Sequence, residues 1–272
     1  MPINLEPLMQ FLPGWLLVLF RITGIFLAAP VFSSTGIPRR VKVLLALGLS
    51  FCVYPMLHPV LWAPGGASAA LLTQMQGSGL SLPRMAGAVA SELLIGLVIG
   101  LGASLPIAGM QLAGQVIDQQ LGTGLGGLIN PDQQTQTTAV SQTYYLMATM
   151  FFLALGGHRI LVMTLLDSYH STPLGGFRAD GQVLTLTVGL LTAMFELALR
   201  VAAPVLGLVF LETVAMGFVA RTVPQLNILS VGFPLRLILG MGLIAGAVTV
   251  QSGVFADAVR QNLAALHGLL AP

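Results

Sequence analysis

From Met85 to Ile117 the chain carries one charged side chain, Glu92, in about 33 residues; from Val183 to Val219 it carries three, Glu196, Arg200 and Glu212, in about 37. As continuous helices these blocks would reach roughly 50 to 55 Å at 1.5 Å per residue, against about 30 Å of bilayer hydrocarbon. Four further apolar blocks run Leu8 to Phe32, Val41 to Ala63, Ala139 to Leu166 and Ile228 to Val250, with links that hold Pro, Gly, Ser or charge. Periodicity within the blocks is poor, as it is in helices that are apolar all round. The expected fold is therefore all-α, a membrane-associated bundle of about six apolar helical blocks. Pro106 and Pro204 fall inside the two longest blocks. Each removes a helix hydrogen bond and crowds the preceding turn, so kinks or hairpin bends are expected there.

Composition narrows the function. The chain is 56% hydrophobic and 7% charged, where a soluble domain has roughly 25% charged residues. An integral membrane protein, or a subunit buried in an apolar assembly, is the class that fits. No polar region is long enough for a separate soluble domain, so residues 1–272 are expected to form one domain. The net charge of +2 comes from scattered basic residues, a pattern without the basic stripe that a nucleic-acid partner requires. Arg39, Arg40 and Lys42 form the only basic cluster. A slight positive-inside bias then puts the first link in the cytoplasm and the N-terminus outside, with the uncharged link from Pro64 to Pro83 as an external loop. No basic residue precedes Arg21, so the first apolar run is expected to stay attached rather than to be removed as a secretory signal.

No catalytic constellation emerges. Cys52 stands alone in an apolar run and is expected to be a small core residue. His58, His158, His170 and His267 lack metal-ligand spacing, and no metal or other cofactor is expected. Gly122, Gly124 and Gly127 match GxGxxG, but no strand precedes them and no βαβ unit surrounds them. His158 and Arg159, after Gly156 and Gly157, mark a turn or an interface within the fourth block.

Arg21, Glu92, Glu196, Arg200, Glu212 and Arg236 lie in or at the edges of apolar blocks, where an ionised group faces a partner or water. Glu196 and Arg200 are spaced i, i+4, acid first, and are expected to form a structural, desolvated ion pair. A proton relay is the sharper alternative, but no regularly spaced acidic series crosses the chain. Two GxxxG pairs, Gly96 with Gly100 and Gly242 with Gly246, suit close helix approach within the chain or against a neighbour.

One stretch differs from the rest. Between Gly109 and Gln142 the chain reads GMQLAGQVIDQQLGTGLGGLINPDQQTQTTAVSQ, with eight of its fifteen glutamines and only Asp118 and Asp132 as charges. Neutral amides hydrogen-bond freely, and glycine turns where other residues cannot. A loop lining a wet conduit and an ordinary exposed loop between helices are level readings of that composition.

Three blocks carry a resemblance. RITGIFLAAPVFSSTGIPRRVKVLLALGLS (Arg21 to Ser50), ALGGHRILVMTLLDSYHSTPLG (Ala154 to Gly175) and PQLNILSVGFPLRLILG (Pro224 to Gly240) resemble, in order, signature blocks of the FliR family of flagellar export-gate proteins. The landmarks are Arg21, Pro30, Pro38, Arg40, Gly157, His158, Pro173, Gly175, Pro224, Gln225, Gly232 and Pro234. The resemblance implies a non-enzymatic subunit of the type III protein export gate in the bacterial inner membrane and flagellar basal body. It also implies FliP-like and FliQ-like neighbours, FlhB-like and FlhA-like export partners, and unfolded exported polypeptides as cargo. Family members are built from kinked helical hairpins in an assembly held largely above the bilayer plane.

By the same resemblance, the segment after the third apolar block forms a plug that helps to close the channel, here Gly109 to Asn130. Its candidate residues are Gly109, Met110, Gln111, Gln115, Asp118, Gln119, Gln120, Leu121, Gly122, Gly124, Gly126, Gly127 and Asn130. Where the family often has a more apolar, methionine-bearing run and an Asp-Pro pair, this chain has Gln119, Gln120, Leu121, Gly122 and Asn130-Pro131. The nearest alternative is the homologous SctT-type subunit of an injectisome. From other classes, a small-solute or ion transporter would show inverted repeats with broken helices, which the chain lacks, and an assembly factor would not line the conduit.

Overall fold

A computed structural model describes residues 6–30, 32, 36–77, 82–123, 139–177, 181–223 and 228–270. Eight helices follow one another: α1 (Glu6–Ala28), α2 (Arg39–Leu61), α3 (Ala67–Gly77), α4 (Leu82–Leu121), α5 (Ala139–Ala154), α6 (Gly157–Ser171), α7 (Gly181–Thr222) and α8 (Ile228–Leu270). Among the described residues there is no strand. Helices α1, α2, α4, α7 and α8 are long and apolar enough to cross a membrane, and α5 with α6 makes a sixth candidate. The fold class is thus the all-α membrane bundle expected from the apolar blocks.

Several local expectations change. Helix α4 runs through Pro106 and α7 runs through Pro204, so neither proline is a hairpin turn; 40 and 42 residues of helix extend through them. The fourth block is divided instead. Gly156 sits at φ +71° before α6, a left-handed conformation that glycine adopts without steric penalty and that ends a helix. This is the turn marked by Gly156, Gly157 and His158. The link between the second and third blocks contains α3, and the last helix continues well beyond Val250 to Leu270. Cys52 is exposed on α2 rather than part of the core, because α1 covers another face of that helix, where Tyr54 and Leu57 are buried.

The chain forms two compact units. The first takes in α1, α2, α3, α4 as far as Ser104, α6, α7 as far as Leu190, and α8 from Asn262. Leu17, Ile22, Ile25, Ile95, Ile99, Leu161 and Leu165 make its core. Its tightest approach is between α1 and α4: a Cβ added to Gly24 would lie 2.9 Å from the Gly96 Cα, and one on Gly100 would lie 3.0 Å from the Ile25 carbonyl oxygen. The first GxxxG pair therefore packs inside the chain, backbone against backbone.

The second unit takes in α4 from Leu105, α5, α7 from Leu191 and α8 as far as Gln261. Met110, Ile117, Tyr144, Phe152, Ala202, Val205 and Phe255 fill its interior. Gly242 and Gly246 lie on α8 with open space where a Cβ would stand, so the second GxxxG pair is not used within the chain.

Candidate functional site

The glycine- and glutamine-rich stretch begins as helix, not as loop. Gly109 to Leu121 are the last turns of α4. Their burial has helical spacing: Met110, Ala113, Ile117 and Leu121 are wholly enclosed, at steps of three or four residues. Glycine in a helix costs about 1 kcal/mol relative to alanine, and here its small size permits close contact. A Cβ at Gly109 would lie 2.8 Å from the Met194 carbonyl oxygen, and one at Gly114 would lie 2.7 Å from the Ser141 Cα. Gln111, Gln115 and Gln119 recur every fourth residue on a less buried side; Gln111 and Gln115 are half-buried, while Gln119 and Gln120 are exposed. The amides thus form a stripe along one helix face.

The helix stops at Gly122, whose φ of +76° is the left-handed conformation common just beyond helix ends. A Cβ there would stand 3.2 Å from the Phe233 ring. Gly124, Gly126, Gly127 and Asn130 lie outside the described residues.

Two side-chain networks hold this end of α4. Asp118, 1% exposed, accepts a hydrogen bond from the Ser141 backbone N–H on α5 at 2.9 Å through Oδ2. Its Oδ1 accepts a short bond from the Thr123 hydroxyl. On the other side, Arg236 of α8 donates from Nε and Nη2 to Glu212 Oε2 of α7 at 3.0 and 2.8 Å. It also donates from Nη1 to the Gln120 carbonyl oxygen at 3.4 Å. A guanidinium at a helix C-terminus is favoured both by the unpaired carbonyls and by the helix dipole.

The first unit contains a more deeply enclosed network. Arg21 Nε donates to Glu92 Oε2 at 2.6 Å, and both side chains are inaccessible to solvent. Arg21 Nη1 donates to the Ser168 carbonyl at 2.9 Å and to its hydroxyl at 3.0 Å, and Nη2 donates to the Thr172 carbonyl at 3.3 Å. The guanidinium lies 4.1 Å from the centre of the Tyr169 ring, a cation–π contact. Glu92 Oε1 accepts from the Gly175 N–H at 2.8 Å. One ion pair thus joins α1, α4, α6 and the turn after α6. Sequence reasoning flagged both charges but did not pair them, since nothing local marks a contact across 71 positions.

Glu196 and Arg200 meet at 2.7 Å on α7, but their side chains are 64% and 60% exposed. The expected desolvation is absent in the chain itself, because this face of α7 turns away from the core. Among the described residues, no group of three His, Cys, Asp or Glu side chains could hold a metal ion.

Residues 12–262 match the sequence model of bacterial export proteins, family 1. The flagellar biosynthetic protein FliR of Bacillus subtilis strain 168 is 27% identical over 274 aligned residues, covering 98% of each chain. FliR of Escherichia coli strain K12 is 27% identical over 84% of this chain and 81% of its own length. FliR of Buchnera aphidicola subspecies Acyrthosiphon pisum is 28% identical over 82% and 80%. This chain, with its apolar helices and a match that spans nearly all of them, is a member of bacterial export proteins, family 1, and belongs with the FliR proteins.

Proposed function

We infer that this chain is a subunit of the flagellar protein export gate and that it shapes and seals a channel for unfolded flagellar proteins. The family match over residues 12–262, with FliR relatives along nearly the whole length, carries this reading. The role is non-enzymatic: the protein provides walls and a seal, and needs neither nucleophile nor metal. FliP-like and FliQ-like subunits are its proposed neighbours, with FlhB-like and FlhA-like proteins completing the export machinery. The proposed location is the inner membrane, within the flagellar basal body.

The proposed plug spans Gly109 to Asn130. Two features support it: the stripe of Gln111, Gln115 and Gln119 offers uncharged hydrogen-bonding groups beside an apolar interior, and Gly122 ends the helix in a conformation that side-chain-bearing residues rarely adopt. The described half of the proposed plug, Gly109 to Leu121, is packed helix.

Removing the chain from its native cells should abolish filament-subunit secretion and swimming, and resupplying it should restore both. Normal secretion of flagellar subunits without it would exclude the gate role. Loss of injected effector proteins with swimming intact would point to the injectisome subunit.

A further inference from the structure

We propose that the cleft between α7 and α8 around Glu212 receives an uncharged hydrogen-bond donor, carried on an apolar helix of a neighbouring gate subunit, and binds it through Glu212 Oε1. The inference rests on the gate reading above and adds where, and by what chemistry, a neighbour is held. An arginine fork commonly meets both oxygens of a carboxylate. Here it meets one: Arg236 Nε and Nη2 both donate to Glu212 Oε2, at 3.0 and 2.8 Å, and the Thr213 hydroxyl adds a long bond to the same atom at 3.5 Å. Among the described residues no donor reaches Oε1, although the Glu212 side chain is only 4% exposed. A carboxylate oxygen held this far from water without a donor costs free energy that a neighbour's donor would recover.

The free oxygen has room in front of it. Glu212, Met216, Gly217, Gly232 and Phe233 line a cleft of about 260 Å³. A Cβ added to Gly232 would enter it, 3.5 Å from Oε1 and 3.3 Å from the Met216 Cε. Gly217 and Phe233 are exposed, so the cleft opens on the surface. Its volume lies below the roughly 300 to 1,000 Å³ of a small-molecule pocket and suits a single side chain. That side chain is uncharged, because Arg236 already balances Glu212 and a second cation would be buried without a counter-charge. The helix that carries it is apolar, to match Phe210, Leu211 and Phe218, which stand exposed on the same stretch of α7. A hydroxyl, an amide or an indole N–H on such a helix meets both demands, whereas the ammonium headgroup of a lipid brings the unbalanced charge.

The test uses the gate complex co-expressed with its FliP-like and FliQ-like subunits and purified through them. Gly217 lies in the cleft wall with open space where a Cβ would stand, so Gly217→Phe fills the cleft without disturbing the chain's own packing. It should speed the loss of this chain from the diluted complex about tenfold or more, the effect of removing a hydrogen bond to a charged group from an interface. Gly217→Ala should stay near the parent rate. A diazirine-bearing amino acid in place of Met216, activated by light in the purified complex, should form an adduct with a partner helix at or beside an uncharged donor, located by mass spectrometry. Removing that donor's polar group and changing Glu212→Gln should then be non-additive, since each breaks the same contact.

A parent-level rate for Gly217→Phe would overturn the inference and leave the gate reading intact. An adduct with phospholipid, with this chain itself or with solvent alone would also overturn it, the first of these assigning the cleft to lipid. Additive effects of the two polar changes would mean that the donor and Oε1 do not meet. If the parent chain itself fails to co-purify with these subunits, the gate reading falls, and this inference with it. Should Glu212→Gln fail to assemble, the Gly217 variants and the adduct decide; absence of the Gly217→Phe complex, with Gly217→Ala assembled and both chains equally abundant, counts with rapid loss in support.

Discussion

Arg21 Nε and Glu92 Oε2 lie 2.6 Å apart, on helices 71 positions distant in sequence, with neither side chain open to solvent. The further contacts of this pair reach Ser168 and Tyr169 on α6 and Thr172 and Gly175 in the turn after it. Replacing one partner, as in Arg21→Leu or Glu92→Leu, should strand the other charge and cost roughly 3 to 5 kcal/mol, whereas replacing both with apolar residues should cost less. Thermal stability of the purified complex reports the difference. Single and double replacements of equal effect would mean that the two charges do not act as a pair.

At Gly96 the α4 backbone touches that of α1, so any side chain must push the helices apart. Gly96→Leu should destabilise the protein by at least the roughly 1 to 3 kcal/mol typical of overpacking, because the obstructing atoms include backbone of Arg21 and Gly24. Gly246→Leu has open space in the chain and should leave its own packing unchanged. Cysteine cross-linking between α1 and α4 in the two variants would compare them. Equal loss of the α1–α4 contact would contradict this packing assignment.

Glu196 and Arg200 should matter little to the fold. An exposed i, i+4 pair contributes about 0.3 to 0.5 kcal/mol, so Glu196→Ala and Arg200→Ala should each leave thermal stability nearly unchanged. A large drop in either would show that a neighbour covers this face in the complex and that the pair is desolvated there.

The chain exposes many large apolar side chains, among them Phe195, Phe210, Phe218 and Ile238 on α7 and α8, each more than half accessible. Large apolar side chains exposed in this number suit a surface covered by lipid or protein. Expression alone should give aggregated or degraded protein, and co-expression with FliP-like and FliQ-like partners should raise the recovered amount several-fold. A stable, monodisperse monomer from expression alone would argue against dependence on those neighbours.

The six apolar helical blocks were legible in the sequence because long uncharged stretches leave few other ways to satisfy a buried backbone; α3 in the link and the division of the fourth block bring the helices to eight. In sequence, Gly109 to Ile117 reads both as the end of the third apolar block and as the start of the glycine- and glutamine-rich stretch, and the structure makes it helix as far as Leu121. Glycine and glutamine suggested a loop, while the helical signal lay in the spacing of Met110, Ala113, Ile117 and Leu121. Pro106 and Pro204 suggested kinks or hairpin bends; helix runs through both, which excludes the hairpins, since a proline within a long, packed helix loses one hydrogen bond without the chain having to reverse. Long-range pairs such as Arg21 with Glu92, and Asp118 with Ser141, depend on which helices meet, and no local pattern encodes that.

The central claim is that the segment from Gly109 to Asn130 closes a polypeptide channel, and the structure directs where to cut it. Deletions within Gly109 to Leu121 would remove packed helix, so the informative deletion is 124–130, which leaves α4, Thr123 and Ser141 in the chain. The decisive measurement is ion conductance together with flagellar export, in cells producing the deletion at normal levels. Normal assembly with a leak to small ions is the predicted result, since a conduit wide enough for a polypeptide passes hydrated ions once unsealed. Normal assembly with neither a leak nor altered export would contradict the channel-closing role.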